Sequence, residues 1–244
     1  MIDFPVLVLA GAFAGGLVSG LTGFGTGLVV LPIWLQVIPP LLASPLVVIC
    51  SLAAQLQTLP AIWHAMDFRR LAPFVAGGAL GVPVGAWLLP HVAVGAFKAG
   101  VGVLLIVVCG FLLARGQAPR LRWGGRGADA VVGLGGGVLG GLAGLSGPLP
   151  TLWAGLRGWG KDERRAVFQG FNLTILTLAL LAQSFAGFVT AEVGWLALGA
   201  LPGTLIGAWI GRRLYDKLDT RGFEKLVLVV LLAAGVATLV TALR

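Results

Sequence analysis

Charge is what this chain has least of. Only 11% of its 244 residues are Asp, Glu, Lys or Arg, where a soluble domain carries roughly a quarter. No such residue occurs between Asp3 and Asp67. With 58% hydrophobic residues and a mean hydropathy of +0.99, an ordinary water-soluble globule is excluded. The two cysteines, Cys50 and Cys109, both fall in apolar runs, which excludes a disulfide framework. Two histidines and no His/Cys/acid cluster leave no expected metal site, and no cofactor is expected. No Gly-Lys-Ser/Thr P-loop is present, so ATP hydrolysis by this chain is not expected. Gly135, Gly137 and Gly140 fit G-x-G-x-x-G, but no strand precedes them and no acidic residue follows at the right distance. "GLSG" at 144–147 has the form of an intramembrane serine protease site, yet no histidine follows His91 to serve as its base. The start, "MIDFPVLVLA", lacks the basic residues of a cleaved signal peptide.

Long apolar runs take the place of all these. Residues 71–97, 99–114 and 166–191 carry no Asp, Glu, Lys or Arg, and about 20 such residues cross a hydrocarbon core of about 30 Å. The expected class is an all-α polytopic membrane protein in a lipid bilayer. The net charge of +8 is read as basic cytoplasmic loops rather than as a nucleic-acid surface.

The chain also repeats itself. "GGLVSGLTG" (15–23) aligns without gaps on "GGVLGGLAG" (136–144), an offset of 121. "GALGVPVGAWL" (78–88) matches "GALPGTLIGAWIG" (199–211) at their Gly-Ala-Trp, an offset of 122. Two halves follow, 1–118 and 119–244. Each opens on a glycine-broken segment (5–36; 128–156) and continues with three spans. These are expected at about 42–63, 71–89 and 94–114, then at about 165–188, 194–211 and 223–243.

Fifteen of the 17 basic residues fall in four clusters, at 69–70, 115–126, 157–165 and 212–225. If all four are cytoplasmic, segment 128–156 begins and ends on one side, and its 29 residues are too few for two full spans. It is expected to be a re-entrant hairpin broken at Gly144 to Pro148, and segment 5–36 its counterpart broken at Gly23 to Gly27. One hairpin plus three spans is an odd number of crossings. The halves are then inverted-topology repeats in the cell (inner) membrane, with both termini outside. The competing arrangement is four plus four spans in parallel halves, which puts basic clusters on both sides.

A hairpin tip leaves unpaired N–H groups at the start of its returning helix, and these carry partial positive charge. Two tips meeting near the midplane make an anion site. The expected tip residues are Thr22, Gly23, Phe24, Gly25 and Thr26, facing Gly144, Leu145, Ser146 and Gly147. Ser51, Gln55 and Thr58 share a face of the first plain span, and Gln169, Asn172, Thr174 and Thr177 lie in its counterpart. Of these, Ser51, Gln55 and Asn172 are the pathway candidates; gluing helices together is the other use of such side chains. No acidic residue sits mid-span, which favours an anionic or neutral solute. His64 and Asp67 at a span's end are either a proton relay or rim residues. The stripes Gly11/Gly15/Ser19/Gly23/Gly27, Gly77/Gly81/Gly85 and Gly199/Gly203/Gly207/Gly211 are expected to pack helices closely.

"GLVSGLTGFGTGLVVLP" (16–32), its partner "GVLGGLAGLSGPLP" (137–150) and the paired Gly-Ala-Trp spans resemble the sulfite exporter TauE/SafE (TSUP) family over essentially the whole chain. Members show a triple-glycine tip; here the tips read Gly25-Thr26-Gly27 and Ser146-Gly147-Pro148. The resemblance implies transport of small sulfur-containing anions such as sulfite, thiosulfate or sulfonated organic acids. It also implies export and ion coupling, with a proton as the candidate ion. Residue reading alone reaches a small anion, by alternating access at a midplane site. A passive anion channel, a permease for another solute and a membrane-embedded accessory subunit are the alternatives.

Overall fold

The structure, a computed structural model, describes residues 3–58, 66–114, 124–157, 161–215 and 220–243. Among these, all regular structure is helical. The first half supplies α1 (Asp3–Thr22), α2 (Thr26–Trp34), α3 (Pro40–Thr58), α4 (Phe68–Leu88) and α5 (Val94–Ala114). The second supplies α6 (Gly125–Ala143), α7 (Pro148–Leu156), α8 (Lys161–Phe185), α9 (Ala191–Tyr215) and α10 (Thr220–Ala242). Among the described residues five helices are long and apolar enough to cross a membrane: α3, α4 with its terminal turn, α5, α8 and α9. Large apolar side chains face outward, as a lipid solvent requires, with Leu80, Val131 and Trp195 each at least 70% exposed. Trp209 also faces outward, and the Arg213 guanidinium lies 3.8 Å from its ring centre. That pairing suits the boundary between headgroups and acyl chains.

Both glycine-broken segments are helix–break–helix units with unequal limbs. The outgoing limbs α1 and α6 have 20 and 19 residues, whereas the returning limbs α2 and α7 have nine each. The short limb comes back along the long one, because Trp34 at the end of α2 donates through Nε1 to Val8 O at 3.2 Å. In the second unit Trp153 Nε1 donates to Asp129 Oδ1 at 2.6 Å. Val8 and Asp129 stand 121 residues apart, the offset of the sequence repeat. One tryptophan thus pins the limbs of each unit, on a backbone carbonyl in the first and on a buried carboxylate in the second. Trp153→Phe removes a donor from a buried carboxylate, so it should destabilise by about 1–3 kcal/mol. The thermal midpoint in detergent should fall further than for Trp34→Phe; equal shifts would show that the carboxylate gains nothing special from this bond.

The closest packing joins the halves. Along α4 and α6, a Cβ at Gly77, Gly81 or Gly85 would run into the carbonyls of Ala130, Leu134 or Val138. Gly133, Gly137 and Gly141 stand equally tight on Phe74, Gly78 and Val82. Residue numbers rise together on both sides, so the pair is parallel. The same holds for α1 and α9, where Gly16 and Gly20 meet Thr204 and Ala208 while Gly207 and Gly211 meet Phe13 and Leu17. The register differs from the expected stripe: Gly11 and Gly15 face Trp34 and Val30 of their own returning limb. Gly199 meets nothing within 4 Å. The repeat-related helices α3 and α8 run antiparallel, with Ser44 against Gln183 at one end and Thr58 against Gln169 at the other. So do α5 and α10, with Gly95 near Ala242 and Gly102 near Gly235.

Candidate functional site

The break after α1 is made by backbone that only glycine adopts without strain, Gly23 at φ +81° and Gly25 at φ +101°. The Thr22 hydroxyl is occupied in holding this turn, 2.9 Å from Val18 O and 2.6 Å from Phe24 O. Helix α2 then starts at Thr26 with no side-chain cap. Its first internal bond is Val29 N to Gly25 O, so the N–H groups of Thr26, Gly27 and Leu28 have no intrahelical acceptor.

The second break is built differently. Helix α6 ends at Gly144, φ +67°, with Gly144 N bonded to Gly140 O and Leu145 N to Leu139 O. These two hydrogen bonds occupy the carbonyls of Leu139 and Gly140 in the last turns of the helix. Helix α7 opens Pro148-Leu149-Pro150, and proline has no N–H. Of the first three helical positions, only Leu149 can donate. The two tips are therefore unequal as anion cradles, the first offering three backbone donors of this kind where the second offers one.

The tips meet. A Cβ at Gly27 would lie 2.9 Å from Leu145 Cδ2 and 3.3 Å from Gly144 O. Between them is a cavity of about 20 Å³, above the roughly 10–15 Å³ that one water occupies. Gly25, Thr26, Gly144, Ser146 and Gly147 line it from the tips, and Ser51, Gln55 and Asn172 from α3 and α8. Thr22, Gly23 and Phe24 do not line it; they shape the turn behind it. Leu28 and Leu176 also line it, which residue reading missed because an apolar wall leaves no mark in an apolar run. Ser51 and Asn172 stand 121 residues apart, so the repeat brings equivalent positions to one cavity.

The side chains divide into those that are satisfied and those that are not. Ser146 Oγ donates to Asn172 Oδ1 at 2.9 Å, both buried. This leaves Nδ2 as the donor that Asn172 offers beside Gly147. Gln55 Nε2 donates to Gly23 O at 3.0 Å, and Gln169 Nε2 approaches the same carbonyl at 3.4 Å and Thr58 Oγ1 at 3.3 Å. Thr174 and Thr177 bond carbonyls of their own helix. Ser51 Oγ and Gln55 Oε1 are buried and accept or donate nothing. Among the described residues no Asp, Glu, Lys, Arg or His lines the cavity, so a solute there meets backbone and side-chain dipoles rather than charges.

Two polar fastenings escaped the residue reading. Gln183, fully buried, donates to Gly141 O at 2.8 Å and to Ser44 Oγ at 2.9 Å, and Ser44 in turn donates to Leu142 O at 2.7 Å. A lone amide inside "LLAQSF" was the available signal. Gln183→Leu strips these groups of their donor and should lower the thermal midpoint, at about 1–3 kcal/mol for each buried group left unmade. An unchanged midpoint would remove Gln183 from the frame that holds the second tip. Asp67 caps α4, its Oδ1 accepting from Arg69 N at 2.9 Å, and pairs with Arg70 at 3.2 Å. His64 lies outside the described residues.

A family model described as "Sulfite exporter TauE/SafE" matches residues 7–238. A protein of Cupriavidus necator named "Probable sulfite/organosulfonate exporter TauE" is 28% identical over 241 residues, covering 94% of this chain and 91% of that one. A protein of Bacillus subtilis named "Probable membrane transporter protein YunE" is 23% identical over 265 residues, covering 96% of each. No solved structure matches at a significant level.

Proposed function

The chain belongs to the sulfite exporter TauE/SafE family of membrane transporters, and we propose that it carries a small sulfur-containing oxyanion or organosulfonate by alternating access at the cavity between its two tips. The observation that supports this reading is the meeting of two broken helices around uncharged donors, with uncapped N–H groups, a free hydroxyl and the Asn172 amide aimed at one small space. Irregular backbone at membrane depth is tolerated where it is enclosed by protein or lines a pathway, and half-helix N-termini are natural seats for anions. No acidic side chain repels an anion there.

We read the halves as inverted repeats in the cell membrane. The antiparallel course of α3 against α8 and of α5 against α10 supports this, as do the basic clusters assigned to the cytoplasm. Cys50 and Cys109 are buried, so single introduced cysteines report sidedness cleanly. A cysteine at Ala93 should be labelled from outside and one at Ala118 only after permeabilisation; the reverse pattern would overturn the orientation.

The ligand is tested on the purified chain by thermal stability in sulfite, thiosulfate, sulfoacetate, sulfate, lactate and chloride. A sulfur oxyanion or sulfonate should stabilise it, by about 2.7 kcal/mol at one hundred times its Kd. In proteoliposomes the same anion should accumulate when a proton gradient is imposed. Equilibration without accumulation identifies a passive channel instead, and no flux from the chain alone identifies an accessory subunit.

A further inference from the structure

The Gln55 amide is fixed by one neighbour and left open by the rest. Its Nε2 donates to Gly23 O at 3.0 Å. Turning the amide over would set two carbonyl oxygens against each other, so the network determines its orientation. Oε1 consequently lies on the side away from Gly23. It is buried and accepts from no protein group, and Gln55 lines the cavity at 3% exposure. One turn earlier, Ser51 lines the same cavity with its Oγ equally unpartnered.

These two atoms ask different things of a ligand. The Ser51 hydroxyl can donate to an anionic oxygen. The Gln55 amide oxygen can only accept, so it repels a bare oxyanion and gains from an O–H or N–H. A buried acceptor without a donor is costly, and filling it is where selectivity arises. Charge adds a second constraint. Among the described residues the lining contains no Lys or Arg, while the Born cost of burial rises as the square of the ligand charge, about fourfold from a monoanion to a dianion.

We propose that Gln55 makes this site select singly charged oxyanions that bring a hydrogen-bond donor of their own. The inference rests on the reading of the cavity as the anion site. The tip N–H groups and Ser51 hold the charged oxygens, and Gln55 Oε1 receives the ligand's donor. That donor has two sources: a proton on the oxyanion itself, as in hydrogensulfite, or an amino or hydroxyl group close to a sulfonate.

Methanesulfonate and sulfamate test this directly, since they share charge and near-identical size but differ in CH₃ against NH₂. Binding to the purified full chain is measured for both at neutral pH. Sulfamate should bind about tenfold more tightly, and Gln55→Met should bring the ratio close to one. Sulfite is titrated in parallel across its own protonation range. Among the described side chains none that titrates lines the cavity, so pH dependence there is assigned to the ligand. An apparent affinity for total sulfite that falls about tenfold per pH unit on the alkaline side shows hydrogensulfite, singly charged and carrying its own proton, to be the bound form. A flat profile shows the dianion, which brings no donor, bound as well as hydrogensulfite and overturns the proposal; sulfamate binding with no sulfite binding at any pH identifies the amino or hydroxyl source.

Equal binding of the matched pair overturns the proposal and leaves the anion site standing, and this comparison needs no variant to fold. A preference that survives Gln55→Met also overturns it, because the discriminating acceptor then lies elsewhere. No binding of any of the three anions defeats the anion-site reading, and this inference falls with it.

Discussion

Gly147→Leu should abolish transport and leave the protein folded and inserted. A Cβ at Gly147 would lie 3.1 Å from Asn172 Nδ2, 3.3 Å from its Oδ1 and 3.4 Å from Phe24 Cβ. A methyl group at that point is tight but touches movable side-chain atoms. The rest of a leucine has only the cavity of about 20 Å³ and the seam between the tips to enter. It would displace the Asn172 amide from Ser146 and fill the space a solute must occupy. Overpacking of this kind costs about 1–3 kcal/mol locally, equivalent to about five- to 150-fold in occupancy. Because the cost falls on the site and on no long helix contact, the variant should stay monodisperse, with a thermal midpoint lowered no more than in the other variants that lose about 1–3 kcal/mol. Gly25→Leu should act on the first tip in the same way. It adds the strain of a side chain at φ +101°, about 1–2 kcal/mol. Uptake into proteoliposomes, beside gel filtration of the same preparations, provides the check. Normal flux in both variants would remove the tips from the transport pathway.

Gly137→Ala should do the opposite, destroying the fold with a single added carbon. Its Cβ would run into the carbonyl oxygen, carbonyl carbon and Cα of Gly78. None of those atoms can rotate away, so α4 and α6 must separate. The neighbouring contacts of Gly133 on Phe74 and Gly141 on Val82 are then lost as well. In a bilayer, apolar burial gives little drive for helices to associate, and close backbone packing carries most of it. The expected loss is therefore several kcal/mol, seen as aggregated or unrecoverable protein rather than slowed transport. Gly100→Ala, Gly110→Ala and Gly199→Ala meet nothing within 4 Å and should be neutral. A Gly137→Ala protein as stable as these controls would show that α4 and α6 are not packed backbone to backbone.

The contrast between these glycines explains what residue reading can and cannot see. The breaks at "GLTGFGTG" and "GLAGLSGPLP" are legible because helix breakers bunch inside runs too apolar to be loops. That glycine stripes join helices was legible too, but not which helix each stripe faces. Gly11 and Gly15 turn out to serve the local hairpin, while Gly16 and Gly20 meet α9. Spacing by four residues fixes a face and says nothing of its partner. The pairing of Ser51 with Asn172 follows from the repeat offset. The shortage of donors at the second tip was also written in Pro148 and Pro150, since it depends only on proline chemistry. The tryptophan pins were not legible, because they require the lengths of both limbs at once. The orientation of the Gln55 amide depends on where the Gly23 carbonyl points, a property of the folded turn alone.

The parallel glycine pairings have a mechanical consequence. Helix α1 of the first hairpin is locked to α9, and α6 of the second hairpin is locked to α4. Each tip is thus braced by a beam belonging to the opposite half. A rocking motion that treated the two sequence repeats as rigid bodies would have to tear both braces apart. Under the alternating access proposed above, the bodies expected to move as units are instead composites, α1–α2 with α9 on one side and α6–α7 with α4 on the other, and they meet at the tips. For the same reason neither half is expected to stand as a fragment. Severed between residues 115 and 123 and expressed as two chains, the halves should insert stably only when made together.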